Sequence, residues 1–170
     1  MNKTLRMTAL AATAAALALT SAPAFAASPN QNATATARIL RPLVLEWRQD
    51  FDLGTIVLSG AAPFSATVGI DQAGALTCPA SVTCSGTTST ARYNVAGTNN
   101  QWVDITAPDV TLTNGTGDTL LLTVDAPASI QLSNSGAPGN DFDIGGSIDL
   151  TDTTPDGVYS GVFNVTADYQ

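Results

Sequence analysis

The sequence predicts an all-β fold, an immunoglobulin-like antiparallel β-sandwich of about nine or ten strands. Three observations carry that expectation. Beyond residue 26 the apolar residues recur with period 2 or in short runs, never at helical spacing over a useful length. Thr, Val and Ile are abundant, and these β-branched residues fit a pleated, half-buried surface. Gly, Pro, Asn and Asp break the chain roughly every eight to twelve residues, the rhythm of a sandwich or barrel.

The elements follow in order. Residues 1–26 read as a secretory leader: Lys3 and Arg6 precede an uncharged Ala/Leu-rich run from Met7 to Leu19, and Ala24-Phe25-Ala26 is an A-x-A cleavage site. The run is too short for a membrane anchor. Residues 27–38 form a small, polar arm in which Ala33, Ala35 and Ala37 alternate with Thr34, Thr36 and Arg38, and Ile39 continues the alanine face. Arg41-Pro42 interrupts, because proline removes a ladder donor. The sandwich domain is expected over 39–170.

Within it, Leu43–Trp47, Leu53–Leu58 and Phe64–Ile70 read as strands, the last with Phe64, Ala66, Val68 and Ile70 on one face. A loop containing Cys78 and Cys84 and a Ser/Thr run come next. Ala91, Tyr93 and Val95 form an inward face. Trp102–Thr106 and Val110–Thr113 flank the Ala107-Pro108-Asp109 turn, and Asn114-Gly115 signals another. The apolar run Leu120–Val124 suits a central strand, and Ile130 with Leu132 a short one. Ser133–Asn140 is a Gly/Pro/Asn loop. Phe142–Leu150 alternates around Gly145-Gly146, which reads as a bulge. Pro155-Asp156-Gly157 is a turn. From Tyr159 to Tyr169 the alternation is unbroken, which predicts one continuous closing strand. The strand number leaves open whether the final strand of an immunoglobulin-like fold is missing.

Composition excludes many functions. After residue 26 the chain has four arginines (Arg38, Arg41, Arg48, Arg92) against fourteen carboxylates, a formal charge of −10, with no Lys, His or Met. A chain so acidic, with no basic cluster, is not built for phosphate, so neither nucleic acid nor anionic lipid is an expected partner. Without His there is no Ser-His-Asp or Cys-His constellation and no imidazole metal site. Without Lys there is no Schiff base or P-loop. Two cysteines in an exported chain favour a disulfide, and the five residues between Cys78 and Cys84 make it a local staple without the CxxC spacing of redox enzymes.

The densest carboxylates are Asp141-Phe142-Asp143 and Asp149 with Asp152. Paired carboxylates can cleave glycosides or hold calcium, but this spacing matches no calcium loop, and aspartate favours turns and solvated strand ends. No enzyme, cofactor or metal is expected. Trp47, Trp102 and Tyr93 could stack on sugar or pack in the core.

The two chain ends carry the remaining signal. A sandwich that stops one strand short leaves a row of apolar side chains and ladder groups uncovered, and an extended arm can fill it. Tyr169 is penultimate and Gly157 is fourteenth from the end, with a strand of alternating residues between them. This ending resembles that of the chaperone–usher pilins, which lack the last strand of an immunoglobulin-like fold and polymerise by strand exchange. The stretches ATARILRPLVLE, DLGTI, FDIGGSIDL and PDGVYSGVFNVTADYQ resemble a family of small secreted β domains of alphaproteobacteria, a domain of unknown function. The disulfide here is local and the arm small, where pilins bridge distant strands and insert larger apolar knobs.

The resemblances imply a non-enzymatic structural subunit of a bacterial fimbria or surface coat, self-assembling or handled by a periplasmic chaperone and usher. Its location would be the periplasm, the cell surface or the medium, with no membrane insertion once the leader is cut. Ala33, Ala35, Ala37 and Ile39 are the candidate donor strand. Gly157, Tyr159, Phe163, Val165 and Tyr169 are the candidate assembly strand. The alternatives are a self-complemented monomer and a carbohydrate-binding module.

Overall fold

A computed structural model describes residues 30–170. The leader and the first three residues of the arm lie outside the described residues. The chain divides into two units, the second running Arg38–Gln170. Residues 30–37 of the first carry no strand and are exposed.

The second unit is all-β, with twelve strands and no helix. They are β1 Val44–Gln49, β2 Thr55–Leu58, β3 Ser65–Ile70, β4 Leu76–Thr77, β5 Val82–Ser85, β6 Ala91–Ala96, β7 Trp102–Thr106, β8 Val110–Thr113, β9 Thr119–Asp125, β10 Ser129–Gln131, β11 Asn140–Thr151 and β12 Thr166–Tyr169. Every ladder between them is antiparallel.

Twelve strands exceed the nine or ten expected, because β4 and β5 form where the sequence suggested only a loop. The Cys78–Cys84 disulfide spans the turn between them, with a Cα–Cα distance of 6.2 Å. The Val82 amide donates to the Pro79 carbonyl at 3.0 Å inside the same turn. A short loop limits what the bridge removes from the unfolded ensemble. Replacing both cysteines by serine should therefore lower stability by about 2–3 kcal/mol without abolishing folding, measured by urea denaturation under oxidising conditions.

The long strand β11 organises the molecule. Residues 140–144 pair with β6, which continues to β1. Residues 146–151 pair with β3, while Gly145–Ile148 pair with β9, which continues to β8. The Gly145-Gly146 pair is therefore where β11 passes from one set of neighbours to the next, rather than a bulge. The bulge lies in β1, between Trp47 and Gln49.

Against this seven-stranded layer lie two smaller sheets, β10-β7-β12 and the ribbon β2-β5. Each covers its own core. Ala91 and Val95 of β6 and Phe142 and Ile144 of β11 pack with Val103 and Ile105 of β7 and with Leu132. Ala66 and Val68 of β3, Leu122 of β9, and Ile148 and Leu150 of β11 pack with Val82 of β5. Phe51, Val124 and Phe163 touch both clusters and join them. Each fully buried Val, Leu or Ile contributes about 1.5–3 kcal/mol.

The closing segment is not the single strand its alternation suggests. Ser160 exchanges both backbone hydrogen bonds with Thr113 of β8, at 2.9 and 3.0 Å. The chain then leaves β8 and reaches β7, where Thr166–Tyr169 pair as β12. Gly161–Val165 bridge the two and have no ladder partner. The side-chain alternation survives the crossing: Tyr159, Phe163, Val165, Ala167 and Tyr169 are half-buried, with exposed residues between them.

Candidate functional site

The two small sheets share no ladder. Between the β2-β5 ribbon and the crossing segment lies a cleft of about 1280 Å³. Its floor is apolar, made by Leu112 of β8, Leu120 and Leu122 of β9, and Ile148 and Leu150 of β11. Thr55–Leu58 form one wall and Gly157–Phe163 the other. The volume exceeds the roughly 300–1,000 Å³ of ordinary small-molecule pockets and suits an extended segment.

Both walls have backbone to offer. β2 pairs with β5 on one edge only, and Gly161–Val165 pair with nothing among the described residues. Unpaired strand edges are templates for another strand. The wall also carries apolar side chains turned to solvent: Val158 is 87% exposed and Val162 84%.

The mouth is polar and acidic. Trp47 Nε1 donates to Asp50 Oδ1 at 3.1 Å, and Asp52 Oδ1 accepts from the Gly54 amide at 2.7 Å. Asp156 completes the set, and no cationic side chain lines the cleft. Tyr159 donates to the Pro155 carbonyl at 2.9 Å. Burial, then the nearby Asp118 charge, raises the Tyr159 pKa above its ordinary value. Burial also raises that of Tyr93, with Asp50 adding to it.

The sequence-predicted site residues divide into four places. Gly157, Tyr159 and Phe163 line the cleft. Val165 and Tyr169 pack instead on the core beneath β7. Ala33, Ala35 and Ala37 are exposed and in no strand, and Ile39 is 91% exposed. Cys78 and Cys84 are joined to each other and do not line the cleft.

Tyr169 ties the two ends of the domain together. Its hydroxyl donates to the Arg41 carbonyl at 2.8 Å and accepts from the Thr98 amide at 2.7 Å. The Arg41 amide donates to Thr98 Oγ1 at 2.7 Å, so the root of the arm is held from both sides. Gly97 makes room: a side chain there would meet the Tyr169 hydroxyl and Leu43.

The carboxylates expected at turns and strand ends fall partly on a strand face. Asp143 on β11 stands opposite Arg92 on β6 and pairs with it through two hydrogen bonds of 2.8 and 3.2 Å. Those contacts raise the Arg92 pKa. Asp141 accepts from Asn94, and Asp149 from Thr67 Oγ1 at 2.6 Å. The alternation Asp141-Phe142-Asp143-Ile144 held the signal for this outward face. No cluster of three or more metal-ligating side chains occurs among the described residues. Trp47 and Trp102 lie on strands of different sheets, while the Tyr93 ring stacks on Phe142 at 5.9 Å.

Fold and site define an all-β protein of two layers whose second layer is open along one slot. The chain belongs to the family of the domain of unknown function DUF4402, whose model matches residues 43–169. The match covers the sandwich and leaves the arm outside it. No curated protein and no solved structure matches the chain.

Proposed function

We propose that this protein is a non-enzymatic structural subunit of a bacterial fimbria or surface coat, in which the arm of one copy fills the slot of the next. The observation that carries this reading is the slot itself: an apolar floor between two unpaired backbone edges, long enough for a strand. Three of the most exposed large apolar side chains are Ile39 at the root of the arm and Val158 and Val162 on the slot wall. Burying Ile39 would contribute about 1.5–3 kcal/mol and each alanine methyl about 0.8 kcal/mol. Arm and slot are different surfaces, so the contact is heterologous and builds filaments.

The leader-like first 26 residues support export to the periplasm and cell surface. The ending from Gly157 to Tyr169, similar to that of chaperone–usher pilins, supports delivery by a periplasmic chaperone and usher. Similarity to secreted domains of alphaproteobacteria supports a bacterial source.

Sedimentation velocity over a range of protein concentrations tests the reading. The 27–170 chain should form concentration-dependent oligomers, and the 39–170 chain should remain monomeric. A 27–170 chain that is monomeric throughout overturns the polymer. If deletion of the arm also destabilises that monomer, the arm completes its own sandwich.

A further inference from the structure

The distribution of charge says more about how the slot chooses its occupant. Two of the four arginines beyond residue 26 are already committed: Arg48 pairs with Glu46 at 2.7 Å and Arg92 with Asp143 at 2.8 Å. The other two, Arg38 and Arg41, stand exposed at the root of the arm and make no ion pair among the described residues. The slot is the reverse, with Asp50, Asp52 and Asp156 in its lining and no cation. Every uncommitted positive charge of the described domain therefore sits beside the arm, while the slot carries negative charge only.

We propose that the slot selects the arm of a second copy electrostatically, with Arg38 and Arg41 of the incoming chain meeting the Asp50, Asp52 and Asp156 carboxylates. This inference rests on the strand-filling reading above and adds what fixes the partner and its direction. An apolar slot alone accepts any extended segment of suitable size. One carrying three carboxylates favours a strand that brings cations, and among the described residues the uncommitted ones are Arg38 and Arg41 at the arm and its root.

Two copies also repel, since each carries −10 after residue 26. That repulsion acts over long distances and is largely screened beyond about 8 Å at 0.15 M salt, whereas pairs in contact are screened less. At physiological salt and above, local attraction therefore governs. Each exposed pair is worth a few-fold in affinity, so two together amount to about ten-fold.

Charge reversal tests this, using the 27–170 chain and sedimentation velocity in 0.15 M salt. One variant carries Arg38→Glu with Arg41→Glu, the other Asp50→Arg with Asp156→Arg. Each alone should assemble about ten-fold more weakly than the parent. Mixed in equal amounts they should regain assembly, because each arm then meets a slot of opposite sign. Recovery also shows that both variants are folded; thermal melts of each provide the same check separately. Raising salt to about 0.5 M should weaken the parent and leave the unmixed variants unchanged or stronger. If the folded variants assemble as the parent does, or the mixture gains nothing, charge selection is wrong while strand filling stands. A parent that never assembles overturns both.

Discussion

Replacing Gly145 by valine should abolish the fold. Gly145 is buried where β11 passes from β6 to β9 and β3. A side chain at this position would meet the Ile70 carbonyl oxygen, with the Asp71 carbonyl carbon at 2.8 Å and its Cα at 3.0 Å. These are backbone atoms at the end of β3, so no rotamer change relieves the contact. The strand would have to separate from β3, and both core clusters hang on β11 through Ile144 on one side and Ile148 on the other. Overpacking against mobile side chains costs about 1–3 kcal/mol, and a clash with backbone at a sheet junction exceeds that range. A loss above about 5 kcal/mol is expected, enough to unfold a domain at the low end of ordinary stability. Gly115→Ala is the matched control: nothing lies within 4 Å of its added methyl. It should change stability by less than about 0.5 kcal/mol. Circular dichroism melts of the two variants decide the matter; a folded Gly145→Val protein with a near-native melting temperature would contradict this account of the β11 junction.

That junction marks where sequence reading stops. Period 2 placed β3, β6, β7 and β11 correctly, because one face of each is buried and the other wet: Ala66, Val68 and Ile70 are buried on β3 and Ala91 and Val95 on β6. The pattern reports which way a side chain points, and says nothing of which strand lies alongside. Gly145-Gly146 therefore looked like a bulge, when the small residues serve close approach of a second strand. The same gap explains the closing segment. Tyr159 to Tyr169 alternates throughout, yet its backbone changes partner from β8 to β7 with a ladder-free stretch between. Strands β4 and β5 were hidden for another reason: two and four residues are too few to show a period, and Thr, Cys and Ser give little contrast between faces.

The slot was legible only in part. Its wall residues Gly157, Tyr159 and Phe163 were marked by the pattern at the chain's end. Its floor was not, because Leu120 and Leu122 belong to a run that reads as an ordinary central strand. In the structure they sit beneath a space that no strand covers. Whether an apolar face is covered is a property of topology, and single-sequence periodicity cannot carry it.

The second large effect is expected at Tyr169. Its ring packs on the core beneath β7, and its hydroxyl holds the Arg41 carbonyl and the Thr98 amide. The Gln170 amide donates to the Trp102 carbonyl at 3.1 Å, and Tyr169 itself pairs with Val103, so the backbone around the ring is held in the β7 ladder. Tyr169→Ala removes ring and hydroxyl together and should cost about 3–5 kcal/mol, the range for deleting a core aromatic. Tyr169→Phe separates the two contributions. It keeps the packing and leaves the Arg41 carbonyl and Thr98 amide without this partner, which should cost about 1–3 kcal/mol. The ratio of the two losses in urea denaturation then measures how much of the residue's role is the clamp. A loss in Tyr169→Phe close to that of Tyr169→Ala would assign nearly all of it to the hydroxyl, and no loss in Tyr169→Phe would show that the arm's root is held without it. A purified Tyr169→Ala protein with unchanged melting temperature but failed export or assembly in cells would instead make Tyr169 a recognition residue for an assembly factor. The clamp also sets where the arm leaves the sandwich. If the slot of the next copy receives that arm, Tyr169→Phe should reduce oligomer formation even at temperatures where the domain stays folded, because a loosened root must be ordered again on each docking event.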